Sequence, residues 1–316
     1  MITFIFRRLV GVVLTLLMAS MVVFFVLEVL PGDPARAILG VEAEAEAVAA
    51  LRSDLGLDRP AFVRYLGWVS GLVRGDFGTS WTYRVPVSDL IMPRLAVTIP
   101  LAVFSMLLSV AVAFPLGMFA ALRHRRAGDV GVMIFGQLGL AVPNFWLGLL
   151  LIMLFAVTLG WLPAGGFPGW GGGFGAALAS LLLPALSLAA VQSAILARIV
   201  RAAVLEISGG DFVRTARAKG LSRQHALVTH VLRNAMLPVA TVMGLQFAYL
   251  LAGTVIIENV FFLPGLGRLV LQAIANRDLA ILENVVLMLA AMVVLVNLLV
   301  DIACRIIDPR VGEKVQ

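Results

Sequence analysis

Six long apolar runs decide what this chain can fold into. The hydrocarbon core of a bilayer is about 30 Å thick and an α-helix rises about 1.5 Å per residue, so a crossing takes roughly 20 apolar residues. Leu95–Leu122 holds 28 residues and Val130–Leu162 holds 33, with no charge in either. Ala176–Ala197 and Met236–Ile257 hold 22 each, also uncharged. Leu9–Leu30 has 22 with one charge, Glu28, and Asn284–Val300 adds 17 with none. Without water in the hydrocarbon, each backbone group in these runs must be bonded within its own segment, which predicts helices throughout. The expectation is an all-α integral membrane protein with six transmembrane helices. A chain that is 61% hydrophobic and 13% charged, with mean hydropathy +1.03, has too much apolar surface for a soluble core.

The third run would be about 50 Å long as one straight helix. Pro143-Asn144 near its middle predicts a kink, or an interfacial stretch at its end, that absorbs the excess. The first run is longer than the roughly 7–15 apolar residues of a secretory signal, and no small-x-small site follows it. It reads as a retained span, with Arg7-Arg8 as a charge anchor and not as a twin-arginine signal.

Lysine and arginine collect in the short loops on the cytoplasmic side. With the N-terminus inside, the inner segments carry 15 cations: Arg7, Arg8, Arg123, Arg125, Arg126, seven from Arg198 to Arg233, Arg305, Arg310 and Lys314. The two short outer loops carry only Arg268 and Arg277. Residues 31–94 hold seven arginines, but loops longer than about 60 residues are largely exempt from the rule. Both termini are therefore placed in the cytoplasm. The net charge of +6 expresses this asymmetry and is not read as a nucleic-acid surface. Cys304 is the single cysteine, which excludes an internal disulfide. The chain divides into a first span with a long outer region (1–94), a five-helix membrane domain (95–305) with a cytoplasmic loop at about 204–235, and a tail (306–316).

That loop is the unusual segment. Five cations (Arg214, Arg217, Lys219, Arg223, Arg233) stand between two apolar runs. Each would cost roughly 2.5–3.5 kcal/mol at the bilayer centre, so the segment must leave the membrane. Asp211 suits a helix N-cap, Phe212–Lys219 a short helix, and Gly220 the left-handed residue that ends it. Ser222 suits the cap of a second helix. Phe212 and Ala216 fall on one side of the first helix, Arg214 and Arg217 on another. Such a helix either docks in a groove on a partner or serves as a solvated anchor. The residues by themselves leave both open.

Several classes of function have weak support. A phosphate-cradling loop needs Gly-Lys-Ser or Gly-Lys-Thr, and the two lysines, Lys219 and Lys314, lack that context. If ATP drives the protein, hydrolysis belongs to a separate chain. An ion-coupled carrier is expected to hold ionisable groups in mid-membrane, whereas Glu28, Asp129, Glu258 and Asp301 lie at span ends. A passive channel needs only a polar lining and stays open as an alternative. An intramembrane enzyme lacks its motifs: His124, His225 and His230 all fall in cytoplasmic segments, and no metal site is expected.

The loop also resembles the cytoplasmic signature of binding-protein-dependent ABC importer permeases. Arg214-Thr215-Ala216 fills the place of that signature's Glu-Ala-Ala, and Gly220 its glycine. Arg214 replaces Glu, His230 stands at the Ile position, and Arg233 replaces Pro, with Leu237-Pro238 five residues late. RTARAKGL followed by HVLRNAMLPV is more closely similar to the dipeptide, oligopeptide and nickel type. MITFIFRRL, LPGDPA (Leu30–Ala35), GDFGTSW (Gly75–Trp81), AVPNFWLG (Ala141–Gly148) and ENVFFLPGLGRL (Glu258–Leu269) agree in order along nearly the whole chain.

The resemblance implies the type I importer transmembrane fold, N-in/C-in, in a bacterial inner membrane. It implies a non-enzymatic permease subunit that moves di- or oligopeptides or similar small solutes from periplasm to cytoplasm. Nickel chelates or glutathione are the alternatives within the family. The implied partners are a second homologous permease, one or two ABC ATPase subunits and a periplasmic binding protein. ATP and magnesium would sit in the ATPase, with no cofactor in this chain. Asp211, Phe212, Arg214, Ala216, Arg217 and Gly220 are then the contact with the ATPase.

Uncharged amides in the spans suit a peptide backbone, so Gln137, Asn144, Gln192 and Gln246 are candidates for the path, and Asn297 for interhelical bonding. Phe261, Phe262 and Pro264 are candidates for an outer gate or binding-protein rim. In the outer loop, Glu42–Leu55 predicts a helix. Trp68, Phe77, Trp81 and Tyr83 suit the headgroup level or burial against a partner, and Gly165–Gly175 a flexible connection.

Overall fold

The computed structural model describes residues 2–29, 33–40, 42–222, 225 and 231–307. Arg223, His230, Arg310 and Lys314, and the side chain of Arg233, lie outside the described residues. Helices dominate, and among the described residues the β-pairing is an isolated bridge between Thr79 and Pro86. Among the described residues, five helices are long and apolar enough to cross a bilayer. They are α1 (Ile2–Val29), α5 (Val87–Leu122), α8 (Phe174–Ser208), α10 (Arg233–Val260) and α12 (Leu279–Ile307).

The remaining expected span is broken. α6 (Ala127–Ala141) and α7 (Asn144–Leu151) meet at 95°. Proline has no amide hydrogen to donate and pushes its predecessor out of the helical region. Val142 accordingly has ψ 119° and Pro143 ψ 135°, both extended. The expected kink is thus close to a right angle. After α7 the chain widens into a π-helix, Ile152–Thr158, where the Thr158 hydroxyl donates to the Met153 carbonyl at 2.8 Å.

The chain forms two compact units. The first comprises Met1–Ile99 and Leu263–Leu295. It holds α1, α2 (Pro34–Leu39), α3 (Ala45–Asp54), α4 (Ala61–Val73), the start of α5, α11 (Leu266–Asn276) and the start of α12. Val87, Ile91, Leu266, Leu269, Ile281 and Val285 form its core. α4 rests on α1, with the Tyr65 and Ser20 hydroxyls 2.9 Å apart and the Tyr65 ring edge-on to Phe24 at 5.4 Å.

Asp278 is a buried knot in this unit. One carboxylate oxygen accepts from the Ile281 amide at 3.2 Å and so caps α12. The other accepts from the Ser80 hydroxyl at 2.6 Å and the Thr82 amide at 2.9 Å, holding the outer loop. Trp68 and Phe77 are tied into the unit by contacts within the chain. The Trp68 indole donates to Asn284 Oδ1 at 3.3 Å, and Phe77 packs on the core.

The second unit comprises Pro100–Phe262 and the chain from Val296. Its post is α8, against which α6, α7 and α10 pack. Backbones approach closely where side chains are small, as in lipid-embedded helix pairs. A Cβ on Gly117 would lie 2.6 Å from the Ala197 carbonyl and 2.7 Å from Val200 Cβ. Serines on these helices bond back to the preceding turn: Ser105 to Leu101, Ser109 to Ser105 and Ser187 to Leu183. The glycine-rich stretch is ordered by its own contacts. Gly166 donates to the Phe261 carbonyl at 2.8 Å, and Trp170 meets Phe167 at 5.5 Å and Phe174 at 6.0 Å. Its glycines serve the positive φ of Gly166, Gly169 and Gly173 more than looseness.

Gly117→Val is expected to destabilise the protein by about 1–3 kcal/mol through overpacking against α8. Gly131→Ala, whose Cβ meets nothing within 4 Å, is the control and should cost nothing. Thermal unfolding in detergent micelles measures the difference.

Candidate functional site

α8 carries its inner end past the apolar run to Ser208, and Gly209-Gly210 turns the chain into a small helix, α9 (Asp211–Ala218). Asp211 is the first helical residue and not the cap. Gly210 occupies the cap with φ −66° and ψ 145°, and no side chain bonds there. A Cβ on Gly210 would meet the Phe212 ring at 2.7 Å, so the ring lies back over this glycine. The Asp211 carboxylate still stands at the positive end of the helix dipole. It also lies 3.6 Å from the Arg214 guanidinium, both side chains well exposed.

The far end closes as expected. Gly220 has φ +94°, its amide donates to Arg217 at 3.0 Å, and the Leu221 amide reaches back to Ala216 at 3.3 Å. That pair of bonds is the Schellman motif. Ser222 Oγ accepts from the His225 amide at 3.2 Å, as the predicted cap requires. The body of that second helix lies outside the described residues.

The helix turns Val213 and Ala216 inward, both buried. Val213 joins Ala113 and Ala121 of α5, Val200 and Val204 of α8, and Ala235 and Val239 of α10 in one apolar cluster. The expected pairing of Phe212 with Ala216 on a single docking side is therefore corrected. The chain's own core takes the 213/216 side, leaving Ala216 covered and Phe212 48% exposed. Phe212, Arg214, Thr215, Arg217, Ala218 and Lys219 form the outward side.

Close to the inner end of α8 lies a buried ion pair that sequence reading did not connect. Asp129, at the start of α6, is 3% exposed. Arg201 of α8 donates to it twice, Nε to Oδ1 at 2.5 Å and Nη2 to Oδ2 at 2.7 Å. The Arg125 amide adds a bond at 3.0 Å, and His124 Nδ1 lies 3.3 Å from the same carboxylate. Bidentate pairing of this kind is geometrically specific. It ties the α5–α6 turn to the helix from which α9 hangs.

The four candidate path amides do not share one surface. Gln137 is exposed on α6. Asn144, half-buried, opens α7, and its Oδ1 accepts from the Phe145 amide at 2.8 Å. Gln192 and Gln246 are 6% and 3% exposed, and Gln192 Oε1 and Gln246 Nε2 are buried without a partner. An unmet acceptor on α8 and an unmet donor on α10 cost stability in this conformer. Asn297 packs on α10, where a Cβ on Gly244 would meet its Oδ1 at 2.5 Å. Of the outer candidates, Phe261 is fully buried in the second unit, where its carbonyl holds Gly166. Phe262 is exposed with φ +53°, and Pro264, in the first unit, is exposed as well.

Fold and site together define a polytopic helical membrane protein with a small cation-bearing helix suspended from its central span. Residues 113–313 match the family model described as binding-protein-dependent transport system inner membrane component. Residues 1–102 match that for the N-terminal part of such membrane components. The chain is 40% identical over 314 residues to the glutathione transport system permease protein GsiC of Escherichia coli (strain K12), covering 99% of this chain and all of the relative. The Salmonella choleraesuis (strain SC-B67) protein of the same name is 39% identical over the same length. A chain from the crystal structure of an amino acid ABC transporter with histidines shares the fold, with TM-score 0.50 and 18% identity over 69% of this chain and 94% of that one. This chain therefore belongs to the inner-membrane permease components of bacterial binding-protein-dependent ABC importers.

Asp129→Ala removes the buried acceptor of the partly exposed Arg201 guanidinium and of the Arg125 amide and is expected to cost about 1–3 kcal/mol. The exchange Asp129→Arg with Arg201→Asp should recover part of that loss. Thermal stability of the purified chain reads both.

Proposed function

We propose that this permease forms half of a pathway for small peptides or peptide-like solutes, inward across the inner membrane. A second, homologous permease supplies the other half. One or two separate ABC ATPase subunits bind ATP and magnesium, and this chain holds no cofactor. A periplasmic binding protein delivers the cargo. The chain is organised as an N-terminal span with its outer region (1–94), a five-helix domain (95–305) and a cytoplasmic tail (306–316).

The observation that carries this reading is the construction of α9. Its inner side is buried in a cluster built from α5, α8 and α10, and its outer side presents Phe212, Arg214 and Arg217. A force on the outer side is delivered directly to three spans. Asp211 and Gly220 set where the helix starts and stops, and Ala216 seats it. Arg214 stands where the family signature has Glu, so the facing groove of the ATPase carries carboxylates. Gln137, Asn144, Gln192 and Gln246 line the path when it opens, the unmet amide atoms of Gln192 and Gln246 then meeting a peptide backbone or water. Phe262 and Pro264 contribute to the outer rim, with Phe261 as their support.

Glutathione is itself a tripeptide, so the full-length similarity to glutathione permeases supports it as one cargo in this chemical class. Uptake of labelled glutathione and of a labelled dipeptide, in cells carrying the whole system, separates the two.

Arg214→Glu with Arg217→Glu is expected to abolish uptake and co-purification of the ATPase while membrane insertion stays normal. Wild-type uptake by that variant contradicts the docking reading. Cysteines at Gln192 and Gln246 should react with aqueous thiol reagents only while the system turns over, and constant protection removes them from the path.

A further inference from the structure

A cavity of about 990 Å³ lies within the first unit, apart from α9 and the path amides. One wall is apolar, built from Val270 and Ile274 of α11 and from Leu279, Leu282 and Val286 of α12. The other bears Glu28, Asp33, Arg52 and Arg64, and Arg277 stands at the end of the α11 side. Arg52 donates to Asp33 at 3.1 Å, and Arg64 Nη2 donates to Glu28. Arg64 keeps a further donor, Nε, which is buried with no partner. A buried, unmet guanidinium N–H is costly and marks a place for an acceptor.

The apolar wall says what kind of molecule brings that acceptor. Leu279, Leu282 and Val286 are three and four residues apart, so they share a face of α12. That face runs about 10 Å along a helix long enough to cross the membrane. Val270, Ile274 and Arg277 have the same spacing on and just beyond α11, where the stripe ends in a cation. A water-soluble ligand gains nothing from a wall that descends along a span, whereas an acyl chain does. The Lys/Arg count puts this end of α1, with Glu28, at the outer face, where guanidinium groups meet lipid phosphates.

We infer that this cavity binds one phospholipid of the outer leaflet, its phosphate on Arg64 and Arg277 and an acyl chain along Leu279, Leu282 and Val286. The carboxylates refine the choice of headgroup. Glu28 and Asp33, each already held by an arginine, can also accept from an ammonium, so the site prefers zwitterionic phosphatidylethanolamine to phosphatidylglycerol, whose glycerol end carries no charge.

The test is native mass spectrometry of the delipidated full chain, titrated with short-chain phosphatidylethanolamine, short-chain phosphatidylglycerol, glycerophosphoethanolamine (the headgroup without chains) and a dipeptide. One phosphatidylethanolamine per chain is expected, bound about tenfold tighter than phosphatidylglycerol, with no saturable binding of the other two. Ile274→Trp narrows the cavity at a position already 55% exposed, leaves every charge in place, and should weaken binding at least about fivefold. Arg64→Gln should weaken it similarly; if that variant misfolds for want of its Glu28 partner, Ile274→Trp still decides. Equal binding of the chainless headgroup, of the dipeptide or of phosphatidylglycerol overturns the inference, as does unchanged binding in Ile274→Trp.

Discussion

Hydrocarbon offers no hydrogen bonds, and the rest of this structure follows from that. Backbone groups bond within their own helices, hydroxyls turn back on the preceding turn, and charges move to the ends of the spans. Interior serines such as Ser105, Ser109 and Ser187 behave in this way. The α6–α7 break at Pro143 is the sharpest departure, and it falls where proline removes a donor. The positive segment between α8 and α10 therefore lies outside the apolar layer, and the chain uses it as a structured element and not as slack.

The way that segment is held sets what it can move. α9 is eight residues long, too short to be stable alone in water. Its stability comes from Val213, which sits in the chain's own apolar cluster, and from Ala216, which is buried beside it on the same side of the helix. A helix fixed in this way cannot shift without moving the ends of α5, α8 and α10. The Asp129–Arg201 pair adds the start of α6 to the same group of inner ends. Small residues along α8 bring its neighbours within backbone contact, so the post is tightly packed from Gly117 inward.

Much of this was legible in the residues. Uninterrupted apolar length located the spans, Pro143 located the break, and Gly220 located the end of α9, because each rests on a local rule. What escaped depends on where distant segments come to rest. Asp211 looked like a cap, but Gly210 takes that role because the Phe212 ring occupies the space a side chain would need. Phe212 and Ala216 looked like one side, yet tertiary packing claimed the 213/216 pair instead. No spacing rule joins Asp129 to Arg201, 72 residues away, or Asp278 to Ser80, 198 away. Nor does any local rule tie the aromatics Trp68 and Phe77 to Asn284 and the α11–α12 region, where their contacts lie. The four candidate amides were recognisable as costly polar groups, but their unequal burial is set by the helices packed around each of them.

The account rests on α9 being gripped from inside the cell by an ATP-hydrolysing chain. Site-specific photo-crosslinking in intact membranes tests this most directly, with the photoreactive residue placed at Phe212 and, as an internal control, at Val213. The account predicts capture of the ATPase subunit from position 212 and none from the buried position 213. Capture of a periplasmic protein from position 212, or labelling of that position by an impermeant reagent added outside, would contradict it.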